Sequence, residues 1–264
     1  MPRLTIGDHL EINLARTGPR GRTPLMFLHG LGLDLTLWDN QFEEFGRNHD
    51  VVALDLPGHG LSDGLESRPT LEGLAGAVTD VLAHLGVGSV HLVGVSLGGM
   101  IAQTVAVRHP SLIRSLTLVA TSCTFADSVR LAIRDRAAVT RAEGMAVIAA
   151  SHLERWFTPG FRERRPDVLD RLFKLLLRQD AELHASLWDA VTTLDIQGLS
   201  ALVCPTMVIV GENDPSAPAA AGQMIVNQIT GAFLHVVAGS GHFPPFETAG
   251  EFNALLRQFL LAMD

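Results

Sequence analysis

Short apolar runs, many of them β-branched, recur along the chain and are separated by segments with helical periodicity. Near-continuous apolar runs bounded by turn residues are typical of strands buried on both faces of a parallel sheet. The alternation therefore predicts an α/β fold with a mostly parallel, doubly wound sheet. The predicted buried strands are residues 24–28, 51–54, 89–95, 115–120, 206–210 and 232–237, and the predicted core helices are residues 36–46, 71–85, a segment running to Val107, and 252–261.

The beginning and the middle of the chain depart from this alternation. Residues 4–6 and 10–14, joined by Gly7-Asp8, predict an antiparallel hairpin at one sheet edge. Residues 122–199 contain no convincing strand, and helical patterns cover residues 128–141, 143–156, 166–179 and 181–191.

Both flanks of this helical stretch run directly into core strands without a Pro/Gly/Ser linker. This favours a lid over the carboxyl edge of the sheet rather than an independent helical domain. We expect residues 1–121 and 200–264 to form the core, and residues 122–199 to form a lid inserted after the sixth strand.

A glycine–serine motif ends the apolar run of residues 89–95. It reads Gly94-Val95-Ser96-Leu97-Gly98, and a helical pattern follows it. Strand, sharp turn and helix together are the context in which G-x-S-x-G forms a nucleophile elbow. The serine is then held in a strained backbone conformation, and glycines on either side avoid collisions with the turning chain. The motif predicts Ser96 as a nucleophile; the alternative is a structural Gly-Ser turn.

Composition limits the classes of partner. Of 264 residues, 47% are hydrophobic, and the net charge is −8 without a long basic run, so nucleic acid is not expected as a partner. No apolar stretch reaches the roughly 18 residues of a membrane span, and the first residues lack the apolar segment of a secretory signal. We therefore expect a cytoplasmic protein without a membrane partner, and homodimer formation is left open.

The sequence also bears on cofactors and thiols. Zinc-ligand spacing, a phosphate-binding loop and a dinucleotide glycine fingerprint are all missing from the sequence, so we expect no cofactor and no metal. Cys123 and Cys204 are expected as reduced, buried thiols, because disulfides are rare in proteins that are not secreted.

A serine hydroxyl at neutral pH needs a base, and the base needs a third group to orient it. Only loops at the carboxyl ends of the strands can reach Ser96. Of the 11 histidines, His242 follows the last predicted strand, between a pair of glycines and a pair of prolines. The loop after the penultimate strand holds two candidate acids, Asp214 and Glu212; an aspartate before a proline adopts an extended or turn conformation that suits an outward side chain.

Negative charge that develops on a substrate carbonyl oxygen needs preorganised donors. The backbone N–H of Leu97, directly after the nucleophile, is one expected donor. The N–H of Leu31, in the loop after the strand of residues 24–28, is the other. His29 in the same loop is expected to hydrogen-bond that loop, and Asp55 and His59 are expected to shape the next turn.

Five motifs, in register, resemble the successive signatures of the α/β-hydrolase superfamily and span nearly the whole predicted core. They are His29-Gly30, Asp55-Leu56-Pro57-Gly58-His59-Gly60, Gly94-Val95-Ser96-Leu97-Gly98-Gly99, Gly211-Glu212-Asn213-Asp214 and Gly241-His242-Phe243. The resemblance implies that Ser96, Asp214 and His242 form a catalytic triad. Within the superfamily, residues 155–162 are similar to the lid of 3-oxoadipate enol-lactonase-like enzymes.

Together these features predict a cofactor-free serine hydrolase of a small carboxylic ester or lactone, acting through an acyl-enzyme. Trp156 and Phe243 are expected to contact the substrate. Arg134, with Arg130 and Arg136, is a candidate for holding a substrate carboxylate, against the alternative of a solvated helix face. Two other functions remain open: a lyase, isomerase or cyclase that uses His242 as base, and a ligand receptor without turnover.

Overall fold

The computed structural model describes residues 3–7 and 9–263, and within them the chain forms one eight-stranded sheet. The strands are β1 (Arg3–Ile6), β2 (Leu10–Thr17), β3 (Leu25–Leu28), β4 (Val51–Leu54), β5 (Val90–Val95), β6 (Ile113–Val119), β7 (Thr206–Gly211) and β8 (Phe233–Val237). Their order is β1-β2-β4-β3-β5-β6-β7-β8. β2 is antiparallel to β1 and to β4, and every other pairing is parallel. The predicted mostly parallel, doubly wound sheet is confirmed.

The predicted edge hairpin is confirmed by the pairing of β1 with β2. Asp8 of its predicted turn lies outside the described residues, as do Met1, Pro2 and Asp264.

Helices cover both faces of the sheet. They are α1 (Asp39–Phe45), α2 (Leu71–His84), α3 (Leu97–Arg108), α4 (Asp127–Glu143), α5 (Met145–Trp156), α6 (Pro159–Arg164), α7 (Pro166–Leu177), α8 (Ala181–Thr192), α9 (Ala219–Val226), α10 (Pro244–Glu247) and α11 (Ala249–Leu261). The predicted helix of residues 36–46 is divided into a 3₁₀ turn, Leu35–Trp38, and α1. Sequence periodicity missed α6, α9 and α10, since four to eight residues hold too few turns to show a period.

Alternate residues of the central strands feed two separate apolar cores. In β3, Leu25 and Phe27 belong to the core that contains Trp38 and Phe252, whereas Met26 and Leu28 belong to the other. All four β3 side chains are fully buried. This two-sided burial explains why the parallel strands read as continuous apolar runs rather than as alternating ones.

The helices α4–α8 form one insertion between β6 and β7, as expected for a lid after the sixth strand. Its two ends lie side by side: Thr124 bridges Asp195, and the Ile196 N–H donates to the Cys123 carbonyl at 2.8 Å. Apolar residues of α5 and α7 share a core cluster with sheet residues. The insertion is therefore packed on the sheet. The division at residues 121 and 200 remains a prediction.

The structure bears on two expectations from the sequence, one about membrane-spanning segments and one about the two cysteines. Across the described ranges, no helix combines the length and apolar character needed to cross a bilayer. Both cysteines are free, but only Cys123 is buried; Cys204 is half-buried, so the expectation of two buried thiols is wrong for Cys204.

Candidate active site

Ser96 occupies a sharp turn between β5 and α3, with φ of 54° and ψ of −116°. This is a left-handed conformation that non-glycine residues rarely adopt. A methyl group at Gly94 would lie 2.3 Å from the Gly98 backbone oxygen, and one at Gly98 would lie 2.3 Å from the Leu28 backbone oxygen. The two glycines are therefore required by backbone contact on either side of the serine, as the motif predicts.

Neighbouring strands hold the turn in this conformation. The Ser96 N–H donates to the Val119 carbonyl at 2.9 Å, and the Thr121 hydroxyl donates to the Ser96 carbonyl at 2.9 Å. Ala120, between these two partners, is the other non-glycine residue with positive φ in the described chain, at 44°. Strained residues persist where the surroundings over-determine them, and they cluster at functional sites.

His242 and Asp214 form a buried pair beyond the ends of β8 and β7. His242 Nδ1 donates to Oδ2 of Asp214 at 2.7 Å, and each residue is only 4% exposed. Oδ1 of Asp214 accepts the Ser216 N–H at 2.7 Å. Burial opposes ionisation of Asp214, but the charge of His242, its hydrogen bond and nearby backbone N–H groups outweigh burial. The pKa of Asp214 is therefore held below its ordinary value.

The rival acid, Glu212, has a different partner. Its carboxylate accepts the Gly239 N–H at 2.9 Å, and its side chain is exposed. Of the two acids left open by the loop sequence, the one that contacts His242 is Asp214.

The loop that carries His242 is tied to the insertion. The His242 N–H donates to the Trp156 carbonyl at 2.7 Å. Glu247 accepts the Gly241 N–H at 2.9 Å with one carboxylate oxygen, and with the other it accepts the Thr158 N–H at 3.1 Å and the Thr158 hydroxyl. Sequence reasoning missed Glu247, because no motif marks an acid whose part is to accept hydrogen bonds from two separate segments.

Ser96 and His242 line one cavity of about 260 Å³ between the core and the insertion. Leu31 and Trp156 line it too. Most of the remaining lining residues come from α4, α8 and the segment that precedes α4, and the apolar ones among them include Phe125, Ile133, Trp188 and Val191. The cavity has room for a small molecule and has both apolar and polar lining residues.

Two expected substrate contacts are corrected by the structure. Arg134 is exposed and does not line the cavity, whereas Arg136 does. Two residues along a helix differ by about 200° in direction, which a helical pattern without a known facing cannot resolve. Phe243 is 1% exposed and packs its ring 4.7 Å from that of His242 and 5.3 Å from that of Trp156. It supports the histidine and is not among the cavity-lining residues.

The two expected backbone donors flank Ser96. Leu97 begins α3, whose N-terminus carries partial positive charge. Gly30, which precedes Leu31, is so close that a methyl group there would lie 3.4 Å from Ser96 Cβ. In the part of the chain that the structure describes, neither the Leu31 nor the Leu97 N–H donates to a protein acceptor.

Side chains below the cavity brace these loops. His29 Nδ1 lies 2.8 Å from the Gly30 carbonyl, and its Nε2 accepts the Leu56 N–H at 2.9 Å. Asp55 accepts the N–H groups of Leu35 and Leu61 at 2.7 and 2.8 Å. The expected loop-holding parts of His29 and Asp55 are confirmed. Residues 3–7 and 9–263 contain no group of three or more histidine, cysteine, aspartate or glutamate side chains placed to hold a metal ion.

Comparison with known proteins agrees with this architecture. The family model of the alpha/beta hydrolase fold matches residues 23–249. A 3-oxoadipate enol-lactonase from Acinetobacter baylyi is 30% identical over 261 residues, covering 97% of this chain and 96% of that protein.

Solved structures are similar over the same extent. The enol-lactonase of Burkholderia xenovorans superposes with a TM-score of 0.92 at 28% identity, covering 98% of this chain and 100% of the other. A thermophilic esterase from Thermogutta terrifontis gives 0.91 at 26% identity, covering 100% and 99%. The chain belongs to the α/β-hydrolase family.

Proposed function

We propose that the protein hydrolyses a small carboxylic ester or lactone through an acyl-enzyme formed on Ser96. The observation that carries the proposal is the buried His242–Asp214 pair, which opens onto the same cavity as a serine held at positive φ. The relatives support a carboxylic ester or lactone as the bond that is cleaved, because they include proteins named enol-lactonase and esterase.

The proposed reaction begins with proton transfer. Donation from Nδ1 of His242 to Asp214 selects the tautomer in which Nε2 carries the lone pair. As the Ser96 oxygen attacks the carbonyl carbon, Nε2 takes the hydroxyl proton. Asp214 stabilises the imidazolium that results, and it remains ionised because its pKa is lowered.

The carbonyl oxygen gains negative charge in this step. We assign the N–H groups of Leu31 and Leu97 to that oxygen, since neither donates to a protein acceptor among the described residues, Leu31 lines the cavity with Ser96, and Leu97 directly follows Ser96 at the start of α3. Donors fixed before the reaction need no reorganisation when the charge appears.

The tetrahedral intermediate then collapses and expels the alkoxide, which takes the proton from His242. In a second round, His242 removes a proton from water, the hydroxide attacks the acyl carbon, and the Ser96 oxygen leaves and recovers its proton. These steps use only the protein's own groups and water.

Trapping the covalent intermediate tests the proposal. p-Nitrophenyl butyrate is mixed with the enzyme, quenched in acid within the first turnovers and analysed by intact mass and peptide mapping. We expect one butyryl group on the peptide that contains Ser96, and none in Ser96→Ala. Turnover that requires His242 but leaves no acyl group on Ser96 would contradict the proposal and support proton-transfer chemistry, as in a lyase or isomerase.

A further inference from the structure

The Leu31 N–H belongs to a tight turn formed by residues 30–33. The Leu33 N–H closes the turn by donating to the Gly30 carbonyl at 3.2 Å. Gly32, at the third position, has φ of 82°, the positive value that a type II turn needs there. The direction of the Leu31 N–H therefore depends on how firmly this turn is held.

Side chains of the insertion hold the turn from outside. Gln179 donates from Nε2 to the Gly32 carbonyl at 2.6 Å, and Nδ1 of His184 donates to Oε1 of Gln179 at 2.7 Å. Because a carbonyl oxygen only accepts, Gly32 determines which end of the amide faces it. Among the described residues, no backbone N–H donates to the Gly32 carbonyl. A methyl group on Gly32 would lie 3.2 Å from His184 Cε1, so the turn and the insertion are also in close contact.

The junction between α7 and α8 fixes the position of Gln179. Its N–H donates to the Leu176 carbonyl at 3.1 Å, and the next residue, Asp180, caps α8 by accepting the Leu183 N–H at 2.8 Å. His184, in α8, is 1% exposed. Side chains of α7 belong to one apolar core and side chains of α8 to the other. The amide therefore projects from a well-packed part of the insertion.

The hydrogen bonds continue through the peptide groups of the turn to the Leu31 N–H. The Gly32 carbonyl shares its peptide group with the Leu33 N–H, and the Gly30 carbonyl shares its own with the Leu31 N–H. Because a peptide group is planar, fixing its carbonyl also fixes the direction of its N–H. The imidazole, the side-chain amide and the two peptide groups thus donate in series, and the last donor is the one we assign to the substrate oxyanion.

A series of this kind strengthens its last donor as well as orienting it. Each hydrogen bond in a chain polarises the next, by roughly 10–30% per bond. Neither Gln179 nor His184 lines the cavity, whereas Leu31 does. Any effect of the two side chains on turnover is therefore expected to pass through the turn, and not through contact with the substrate.

We propose that Gln179, oriented by His184, is a positioning residue for the oxyanion donor Leu31, so that the insertion helps to form the oxyanion hole. This inference rests on the proposed hydrolase function. The series of donors ends on charge that develops only in the transition state, so it contributes to kcat more than to substrate binding. Removing an oxyanion donor costs roughly 10²–10³-fold in kcat, and we expect a donor that is only loosened to cost about tenfold.

Transition-state binding tests the proposal. Gln179→Met keeps the length of the side chain and removes both polar atoms, and Gln223→Met is the control at an exposed position of α9. In Gln179→Met we expect kcat for p-nitrophenyl butyrate to fall about tenfold with KM within about twofold of wild type. We expect the inhibition constant of butylboronic acid, which forms a tetrahedral adduct with a nucleophilic serine, to rise about tenfold as well. Wild-type kcat and boronate affinity in a folded Gln179→Met would overturn the proposal, as would a change confined to KM.

Matched substitutions of His184 test the orientation of the amide. His184→Asn keeps an N–H donor near the position of Nδ1, whereas His184→Leu fills the site without a donor. We expect His184→Leu to lower kcat by about fivefold, the size of one hydrogen bond, and His184→Asn to recover most of that loss. Thermal unfolding confirms that both variants fold. Equal kcat in the two variants would overturn the orienting part of His184.

Amide hydrogen exchange separates this inference from the hydrolase proposal, because it needs no turnover. Exchange of the Leu33 N–H is followed by NMR in the wild type, Gln179→Met and Gln223→Met. We expect it to be about fivefold faster in Gln179→Met alone. Equal exchange in the three proteins would overturn the positioning even where ester turnover is normal. Faster exchange in Gln179→Met, with no ester hydrolysis by the wild type, would overturn only the hydrolase function.

Discussion

The N–H of His242 donates to the carbonyl of Trp156 at 2.7 Å, so the loop with the proposed base is attached to the last residue of α5. Glu247 reinforces this attachment by accepting from Gly241 on the loop and from Thr158 beyond the helix. The positions of the His242 loop and of the insertion are therefore coupled. Displacement of the insertion from the core would disturb both the His242 loop and the cavity.

Removing the Glu247 carboxylate should loosen this attachment. In Glu247→Ala the Gly241 N–H, the Thr158 N–H and the Thr158 hydroxyl lose their acceptor. At about 1 kcal/mol per hydrogen bond, this lowers the free energy of unfolding by about 3 kcal/mol. We expect kcat to fall by about tenfold with a smaller change in KM, and Glu247→Gln, which retains one carbonyl acceptor, to recover part of it. Urea unfolding measures the free energy of unfolding, and steady-state kinetics measure kcat and KM. Glu154→Ala, at an exposed position of α5, is the control, and an unchanged kcat in Glu247→Ala would refute the coupling.

Replacing Asp214 should affect catalysis far more than replacing its neighbour. Asp214→Asn preserves shape but favours the wrong tautomer of His242, and a loss in kcat on the order of 10⁴ is known for such a change in a serine protease triad. Glu212→Gln alters a carboxylate that contacts only the Gly239 N–H among described residues, and we expect kcat within about threefold of wild type on the scale of one exposed hydrogen bond. The two variants are compared under saturating ester. A larger loss of kcat in Glu212→Gln than in Asp214→Asn would identify Glu212, and not Asp214, as the acid.

Two buried histidines of the insertion, His152 and His184, should make the folded protein less stable at mildly acidic pH. Burial lowers the pKa of His184 from 6.5 to about 4, and burial followed by nearby positive charge lowers that of His152 well below its ordinary value. Below pH 6.5 the unfolded chain therefore binds protons that the folded chain does not, and stability falls as the pH drops toward 4. At about 1.4 kcal/mol per pKa unit, His184 alone accounts for up to about 3 kcal/mol.

Urea unfolding at pH 7 and at pH 5 measures this loss. His184→Gln should show a smaller loss than the wild type, whereas His109→Gln, at an exposed position, should not. Equal pH dependence in the wild type and His184→Gln would show that burial of this imidazole does not act on stability.

Two glycine substitutions should have opposite effects on stability. A methyl group at Gly98 would lie 2.3 Å from the Leu28 backbone oxygen, and no flexible side chain can move to relieve that contact. We expect Gly98→Ala to destabilise the fold by about 3 kcal/mol or more, in the range of overpacking in a rigid site. Gly76→Ala, in α2 with nothing within 4 Å of the added methyl, should stabilise it by about 0.5–1 kcal/mol. Thermal unfolding compares the pair; a neutral Gly98→Ala would mean that the turn is not tightly packed.

The parts of the site that follow strand order could be predicted from the sequence. Ser96, Asp214 and His242 each follow the carboxyl end of a parallel strand, and such ends meet at one edge of the sheet. The direction of side chains on the insertion could not be predicted, so the sequence offers Arg130, Arg134 and Arg136 alike, whereas of these three the structure places only Arg136 at the cavity. Phe243 was misplaced for the same reason, because its sequence position beside His242 does not say which side of the histidine it packs on.

Glu247 and the short helix that contains it show a second limit. α10 has four residues and begins with Pro244, too few for a periodic signal. The contacts of Glu247 join Gly241 to Thr158, 83 residues apart by their numbering. Such contacts depend on how the insertion packs on the core, and a local sequence pattern does not determine that packing.

The most direct test of the account is the rate of p-nitrophenyl butyrate hydrolysis by Ser96→Ala, measured beside its thermal unfolding. Alanine occupies positive φ at position 120 of this same fold, so the variant should unfold at the wild-type temperature. We predict a loss of kcat/KM of at least about a thousandfold, as expected when a nucleophile is removed. A folded Ser96→Ala that hydrolyses the ester at close to the wild-type rate would contradict the account.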